Sequence, residues 1–264
     1  MPPIRVAVSG TGKMGKEILA AVCGDPGLEP VGVLEKFSNE EYVSLPDGSG
    51  LVHLDKDPAV LFVRARPDVV VDFTNAEWTP QVTRAALEAG VRLVIGTTGL
   101  SADYLSNLEE ECQEKGLGAV IASNFAIGAV LMMHLSKVAA KHFDSAEIIE
   151  LHHDQKADAP SGTAIATAQG MVASRGQPFT MAETQKETVP GTRGGSLDGV
   201  TIHSVRLPGL VAHQEVIFGG RGQTLLIRHD STGRDSFMPG VVLAVKEVMN
   251  RSEMVRGLDR LIGL

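Results

Sequence analysis

Hydrophobic and polar positions along the chain alternate in two distinct ways. Up to about residue 122, short apolar runs of strand length take turns with segments of helical spacing. Residues 4–8, 30–34, 69–74, 92–95 and 119–122 read as strands. Between them, Ile18, Ala21 and Val22 fall at helical spacing, and 58–66, 79–89 and 101–115 read as helices. Gly90 closes the second of these three, and Ser101 is placed to cap the third. The 69–74 run is almost wholly β-branched, which marks a strand buried on both faces. Residues 38–50 are polar, with Pro46-Asp47-Gly48, and read as a loop. This alternation predicts a Rossmann-like, doubly wound parallel sheet.

A long helix over 127–142 follows, with Leu131, His134, Leu135 and Val138 along one stripe. The pattern then changes. Residues 146–152 alternate like a half-buried strand, and 163–174 read as a helix. Residues 176–197 are polar, with Gly191, Gly194 and Gly195, and are expected to be a mobile loop or lid. Three strand-like runs, 200–207, 212–218 and 223–229, come in succession, the last two joined by Gly219-Gly220-Arg221-Gly222. Successive strands predict a second, α+β domain with a mixed or antiparallel sheet. The expected class is therefore α/β in two domains. Residues 1–126 form the first, with 235–264 (including a helix at 238–249) folding back onto it. Residues 127–234 form the second, which would bind substrate and make the oligomer contacts.

Composition changes this picture little. A chain of 264 residues, 43% hydrophobic and 21% charged, is an ordinary soluble globular protein. A net charge of -8 argues against nonspecific nucleic-acid binding. The start of the chain does not look like a signal peptide, and no apolar run approaches the roughly 20 residues of a membrane span. No nucleic acid, no membrane and a cytoplasmic location are expected. Cys23 and Cys112 lie in predicted helices without a short spacing, and read as buried free thiols. His134 and His142 read as packing or surface residues.

Candidate chemistry gathers at two places. Ser9-Gly10-Thr11-Gly12-Lys13-Met14-Gly15 follows the first strand and opens a helix, the context that G-x-G-x-x-G requires. Gly10 allows the tight turn, Gly12 the approach of a pyrophosphate, and Gly15 close helix–strand packing. Glu35 lies twenty residues past Gly15, where an acid is expected to bond the ribose hydroxyls. Lys36 beside it would pair with a 2′-phosphate, allowing both NADH and NADPH, or stand as a solvated surface charge. Phe73 and Thr74, Gly96-Thr97-Thr98 and Ser123-Asn124-Phe125 lie at strand ends, where open α/β sheets place ligands.

The second place is Glu150-Leu151-His152-His153-Asp154-Gln155-Lys156-Ala157-Asp158-Ala159-Pro160-Ser161-Gly162-Thr163. A histidine gives or takes a proton near neutrality. Lys156 adds a cation, and Ser161-Gly162-Thr163 opens a helix whose N-terminus suits a carboxylate. Together these suit a small anionic substrate that gains a proton as well as a hydride. Consecutive residues rarely present ligands to one metal, so no metal is expected from His152, His153 and Asp154.

This stretch closely resembles the signature of the dihydrodipicolinate reductases, also named 4-hydroxy-tetrahydrodipicolinate reductases, and the resemblance covers nearly the whole chain. Phe73-Thr74, Gly96-Thr97-Thr98-Gly99 and Ser123-Asn124-Phe125 look like the family's cofactor-side loops. Residues 206–215 look like its C-terminal sheet. The resemblance implies NADH- or NADPH-dependent reduction of a cyclic unsaturated dicarboxylate on the route to diaminopimelate and lysine, usually by a homotetramer joined through the C-terminal sheets. It implies His152 as proton donor and Lys156 as a second proton-donating, charge-stabilising group. It further implies His153, Ser161, Gly162 and Thr163 as substrate-binding residues, and Glu35 with Lys36 as the pair behind dual cofactor use. The loop from Gly10 to Gly15 is one residue shorter than the family's common G-x-x-G-(R/K)-M-G. Two other readings stay open: another two-domain dehydrogenase of a small amino or hydroxy acid, and a non-catalytic dinucleotide sensor.

Overall fold

The computed structural model describes residues 2–264. It divides into two compact units, one running to Ile127 and including Phe237–Leu264, the other Gly128–Ser236. In chain order, the first unit holds β1 (Ile4–Ser9), α1 (Lys13–Gly24), β2 (Leu28–Leu34), β3 (Tyr42–Ser44), β4 (Leu51–Asp55), α2 (Pro58–Ala65), β5 (Val69–Asp72), α3 (Thr79–Ala89), β6 (Arg92–Ile95), α4 (Ala102–Lys115) and β7 (Ala119–Ile121). The second holds α5 (Ile127–Ala140, whose first residue counts with the first unit), β8 (Ser145–His152), α6 (Gly162–Arg175), β9 (Gly195–Leu197), β10 (Val200–Arg206), β11 (Ala212–Gly220) and β12 (Gln223–Ser231). The chain then supplies α7 (Met238–Val248), β13 (Met254–Arg256) and α8 (Leu258–Leu261) to the first unit.

The first unit is built on an eight-stranded sheet in the order β13-β7-β6-β5-β1-β2-β4-β3. All its pairings are parallel except β3 with β4. The central strands are buried on both faces, as their uninterrupted apolar character requires: all four residues of β5 are buried. Helices start and stop where local chemistry directs. Asp57 caps α2 by accepting from the Ala59 N–H at 2.8 Å, and Ser101 caps α4 by accepting from Tyr104 at 3.2 Å. Gly90 and Gly116 end α3 and α4 in the left-handed conformation.

Three strands of the first unit escape the hydrophobic pattern. β3 lies inside the segment read as a loop, β4 follows it directly, and β13 joins β7 near the C-terminus. Each is three to five residues long and near a sheet edge. Their strand character comes from a partner's backbone, as when the Ala119 N–H donates to the Glu253 carbonyl at 3.1 Å.

The second unit carries a five-stranded mixed sheet in the order β12-β11-β8-β10-β9, in which only β8 and β10 run parallel. One face packs Ala146, Ile148, Val216 and Phe218 against Met132, Ala164 and Met171 of the helices. The expected stripe on α5 is not its buried face. Leu131, Leu135 and Val138 are 39%, 49% and 47% exposed, whereas Ala129, Met132, Ser136, Ala139 and Ala140 are buried. Small residues let the helix approach its neighbours closely, and the larger ones are left outside.

The segment 176–197, expected to move freely as a lid, is fixed at both ends. The Phe179 side chain is buried, and its N–H donates to the Asp198 carbonyl at 3.0 Å. β9 pairs with β10, and Arg193 reaches Glu147 on β8 at 2.6 Å. Replacing Phe179 with Ala removes the anchor from this core and is expected to cost about 3–5 kcal/mol. The change is read as a lowered urea midpoint; an unshifted midpoint would show that the segment contributes nothing to the second unit's stability.

Candidate active site

The dinucleotide side arises from strand register. Ser9 pairs with Leu34 and with Asp72, Asp72 with Ile95, and Ile95 with Ile121. Five parallel strands therefore end abreast, and Gly10–Gly15, Glu35-Lys36, Phe73-Thr74, Gly96–Thr98 and Ser123–Phe125 all leave from one edge. Gly10 has φ 94°, open to glycine, and its N–H donates to the Leu34 carbonyl at 2.7 Å. A Cβ on Gly15 would lie 1.9 Å from the Gly10 carbonyl oxygen, so that position admits no side chain. Gly12 is the opposite case. Its φ is -67° and a Cβ there would meet no protein atom within 4 Å. The space in front of it is open, and no side chain caps the start of α1. Exposed backbone, free N–H groups and the positive end of the helix dipole fit the pyrophosphate of a dinucleotide.

A cavity of about 480 Å³ runs from this loop past Glu35, Lys36 and Phe37 to Phe73, Thr74, Asn75 and Trp78. Glu35 accepts from Thr11 twice, from N–H at 3.0 Å and from Oγ1 at 2.5 Å. Burial would raise its carboxyl pKa, but these bonds and one from the Phe37 N–H outweigh it, so the group is held below its ordinary value. Lys36 is exposed, with Nζ 5.7 Å from the Phe37 ring centre and 5.6 Å from that of Trp78. Phe37 and Trp78 were not anticipated. Trp78 sits six residues past β5, its ring NH donating to Ser9 Oγ at 3.1 Å, and no motif marks it.

The remaining cofactor-side residues divide into lining and scaffold. Thr74 and Thr79 each donate to Asp72, and since the Thr79 hydroxyl has a single hydrogen, its contact with Thr97 at 3.0 Å has Thr97 as the donor. Asp72 is fully buried, and that burial raises its carboxyl pKa against the hydroxyl bonds that lower it. Phe125 is buried against Phe73, ring centres 5.0 Å apart, and Phe73 in turn fills the space a Cβ on Gly96 would occupy. Asn124 accepts from the Ala126 N–H at 2.9 Å. Lys13, Thr98 and Ser123 are exposed and Met14 is half-buried.

In the second unit the long signature folds around one carboxylate. Glu150, on the helix-facing side of β8, is fully buried. It accepts from His152 Nδ1 at 2.6 Å, from Arg206 at 2.8 and 2.7 Å, and from the Ser161 N–H at 3.1 Å. Burial would raise its pKa; the bonds from Arg206, Ser204 and His152 more than offset this and keep it low. His152, the last residue of β8, has its pKa depressed by burial. Glu150 opposes that shift, and the Lys156 and Arg206 charges add to it.

His153 lies past the strand end and is exposed, and its carbonyl accepts from the Lys156 N–H at 3.2 Å. Lys156 Nζ is 2.6 Å from Asp158, an ion pair that a bound anion would compete with. Ser161 is buried, and its Oγ caps α6 by accepting from Ala164 at 3.2 Å. The N–H groups of Gly162 and Thr163, in the first turn of α6, have no partner within the helix. Glu150 and Arg206 lay inside motifs read from the sequence, but neither was singled out. Their roles depend on β10 lying beside β8, with Arg206 opposite His152.

Models of the dihydrodipicolinate reductase N-terminus and C-terminus match residues 4–125 and 128–262. The chain belongs to the dihydrodipicolinate reductase family. A 4-hydroxy-tetrahydrodipicolinate reductase of Dehalococcoides mccartyi is 46% identical over the full length of both chains. That of Syntrophomonas wolfei is 50% identical over 98% of each. Among solved structures, the dipicolinate-bound dihydrodipicolinate reductase of Paenisporosarcina sp. TG-14 superimposes with a TM-score of 0.88 at 43% identity, over 98% of this chain and 99% of that one. An amine dehydrogenase of Mycobacterium smegmatis, at 17% identity and TM-score 0.65 over 97% and 95% of the two chains, shares the fold alone.

For a member of this reductase family, Gly12 gives a direct test of the dinucleotide site. The Cβ that Gly12→Val adds meets no protein atom within 4 Å and the backbone there is ordinary, so thermal stability is expected to change little. Affinity for NADH and NADPH is expected to fall about tenfold or more, since the added methyls occupy the pyrophosphate's approach. Calorimetric titration measures it; unchanged affinity would remove Gly12 from the cradle.

Proposed function

We propose that the chain reduces 4-hydroxy-tetrahydrodipicolinate to tetrahydrodipicolinate with NADH or NADPH, a step toward diaminopimelate and lysine. The observation that carries this reading is His152, held by Glu150, in the same short segment as Lys156 and the capped start of α6. Family membership narrows the substrate to a cyclic dicarboxylate. Overall the substrate loses its 4-hydroxyl as water and gains one hydride and one proton. The reduced nicotinamide supplies the hydride.

In this proposal the N–H groups of Gly162 and Thr163, with the hydroxyls of Ser161 and Thr163, receive one substrate carboxylate. The helix dipole favours the negative charge there. His153 meets a carboxylate from the exposed side of the loop. Lys156 leaves Asp158 for the substrate and offsets charge that builds on the ring. His152, whose Nδ1 is occupied by Glu150, presents Nε2 as the proton donor. On the cofactor side, Glu35 bonds the adenosine ribose and the exposed Lys36 accommodates a 2′-phosphate, which supports use of both cofactors. We place the enzyme in the cytoplasm, where such biosynthetic reductants are held. No helix among the described residues is long and apolar enough to cross a membrane.

His152→Gln is expected to lower kcat by about 10²–10⁴-fold while leaving the NADH Kd unchanged. The sign of the pH effect follows from the depressed pKa. Burial holds the free enzyme's His152 below its ordinary imidazole pKa, so kcat/KM should fall as pH rises through that lowered value. A bound dicarboxylate favours the imidazolium, so the matching limb in kcat should lie at higher pH. Rate profiles of both parameters, with the aspartate-semialdehyde condensation product as substrate, check the order. Absence of turnover with that product would overturn the assignment in favour of another dehydrogenase or a sensor.

The proposal extends to a homotetramer joined through the uncovered face of the five-stranded sheet. Ile149 and Leu151 on β8 and Ile217 on β11 alternate onto that face, and Leu226 on β12 is 52% exposed. Light scattering should give about four times the chain mass, and Leu226→Lys should shift the distribution to smaller species. A monomer at micromolar concentration would refute the arrangement.

A further inference from the structure

We propose that Glu150 and Arg206 are a positioning pair for the proton donor, fixing the His152 ring as its Nδ1–H form and tying it to the start of α6. The inference rests on the reading of His152 as that donor and adds residues with no assigned role.

Glu150 accepts four bonds of fixed geometry, and the Ser204 hydroxyl on β10 adds a further donor. Oε1 takes the Ser161 N–H at 3.1 Å and Arg206 Nη2 at 2.7 Å. Oε2 takes His152 Nδ1 at 2.6 Å and Arg206 Nη1 at 2.8 Å. An ionised carboxylate only accepts, so His152 Nδ1 must carry the hydrogen. Nε2 is then the nitrogen left to exchange a proton with a ligand.

A carboxylate without solvent exposure stays charged only where donors and an opposite charge answer it. Arg206 supplies both in a two-bond fork, and is itself anchored to two carbonyls, Val205 and Asp158, each at 2.7 Å. The Asp158 contact holds the loop that carries His153 and Lys156. One ion pair thus joins β8, β10, that loop and the α6 start.

The charged groups that act on His152 are few. Glu150 comes from its own strand, Arg206 from β10, and Lys156 from the following loop, paired with Asp158. From β11, Ala212 lies opposite His152, and the neighbouring His213 is engaged with Asp230. The two members of the pair therefore pull on the imidazolium in opposite senses. Glu150 favours it and Arg206 disfavours it.

The experiment is a ¹⁵N-histidine NMR titration of the full chain, with His152→Gln assigning the signal, on the wild type, Glu150→Gln and Arg206→Met. In the wild type, neutral His152 is expected as the Nδ1–H tautomer. In Glu150→Gln that preference weakens and the titration midpoint moves down by about 1–3 units, as expected for losing an adjacent opposite charge. In Arg206→Met the midpoint moves up. Steady-state rates should follow, with kcat reduced about tenfold or more in both variants, at little change in the NADH Kd.

An Nε2–H tautomer in the wild type, or midpoints that stay put or move the same way in both folded variants, would overturn the proposal. The wild-type tautomer decides the matter even if a variant fails to fold. The titration needs no turnover, so failure of the proposed reaction and failure of this pair register separately.

Discussion

A carboxylate removed from water is the constraint around which the second unit is arranged. Glu150 sits in a strand that alternates buried and half-buried residues, on the side that packs against the helices. At that position an apolar side chain would serve packing better, and the cost of a charge is high unless every lone pair is used. Satisfying it draws in a guanidinium from β10, a backbone N–H from the start of α6 and the imidazole two residues further along β8. The groups proposed to touch substrate are neighbours of that carboxylate, and its demands set their geometry.

In the first unit the corresponding constraint is register. Parallel pairing brings the last residues of five strands side by side, and every loop that leaves them emerges on one edge. The glycine loop adds two opposite requirements. Gly15 tolerates no side chain because the chain packs against itself there, and Gly12 is bare although the protein leaves room. The first is an internal packing demand and the second is intelligible through a ligand. Buried residues such as Thr97, Thr79 and Phe125 hold these loops from behind. Thr97 and Phe125, read as cofactor-side residues, thus have their side chains buried at the base of the loops.

The main outline was legible in the linear pattern because the first unit repeats one simple unit. Each uninterrupted β-branched run is a doubly buried strand, and each amphipathic run a crossover helix. The G-x-G-x-x-G turn was legible for the same reason, since its constraints are local. Strands at or next to the sheet edges were not. Tyr42–Ser44, Leu51–Asp55 and Met254–Arg256 have too few residues to show a period, and their conformation is imposed by the strand beside them. The α5 stripe misled because the close contact is made by alanines, while leucines of regular spacing face outward. Segment 176–197 is mostly loop, as read, but its polar composition hides one buried anchor, Phe179.

The sequence alone therefore determined the strand–helix alternation, the dinucleotide turn and the identities of His152, Lys156 and the Ser161-Gly162-Thr163 helix start. These are properties of neighbouring residues, set by backbone and side-chain chemistry within a few positions. Tertiary structure alone decided that Glu150 meets Arg206, 56 residues away, and that Lys36 lies between Phe37 and Trp78. Those pairings depend on which strands lie side by side and in which register, and a linear pattern does not carry that information. It also decided which nitrogen of His152 is free, because a tautomer is chosen by the partner of the other nitrogen, and that partner is placed by the fold.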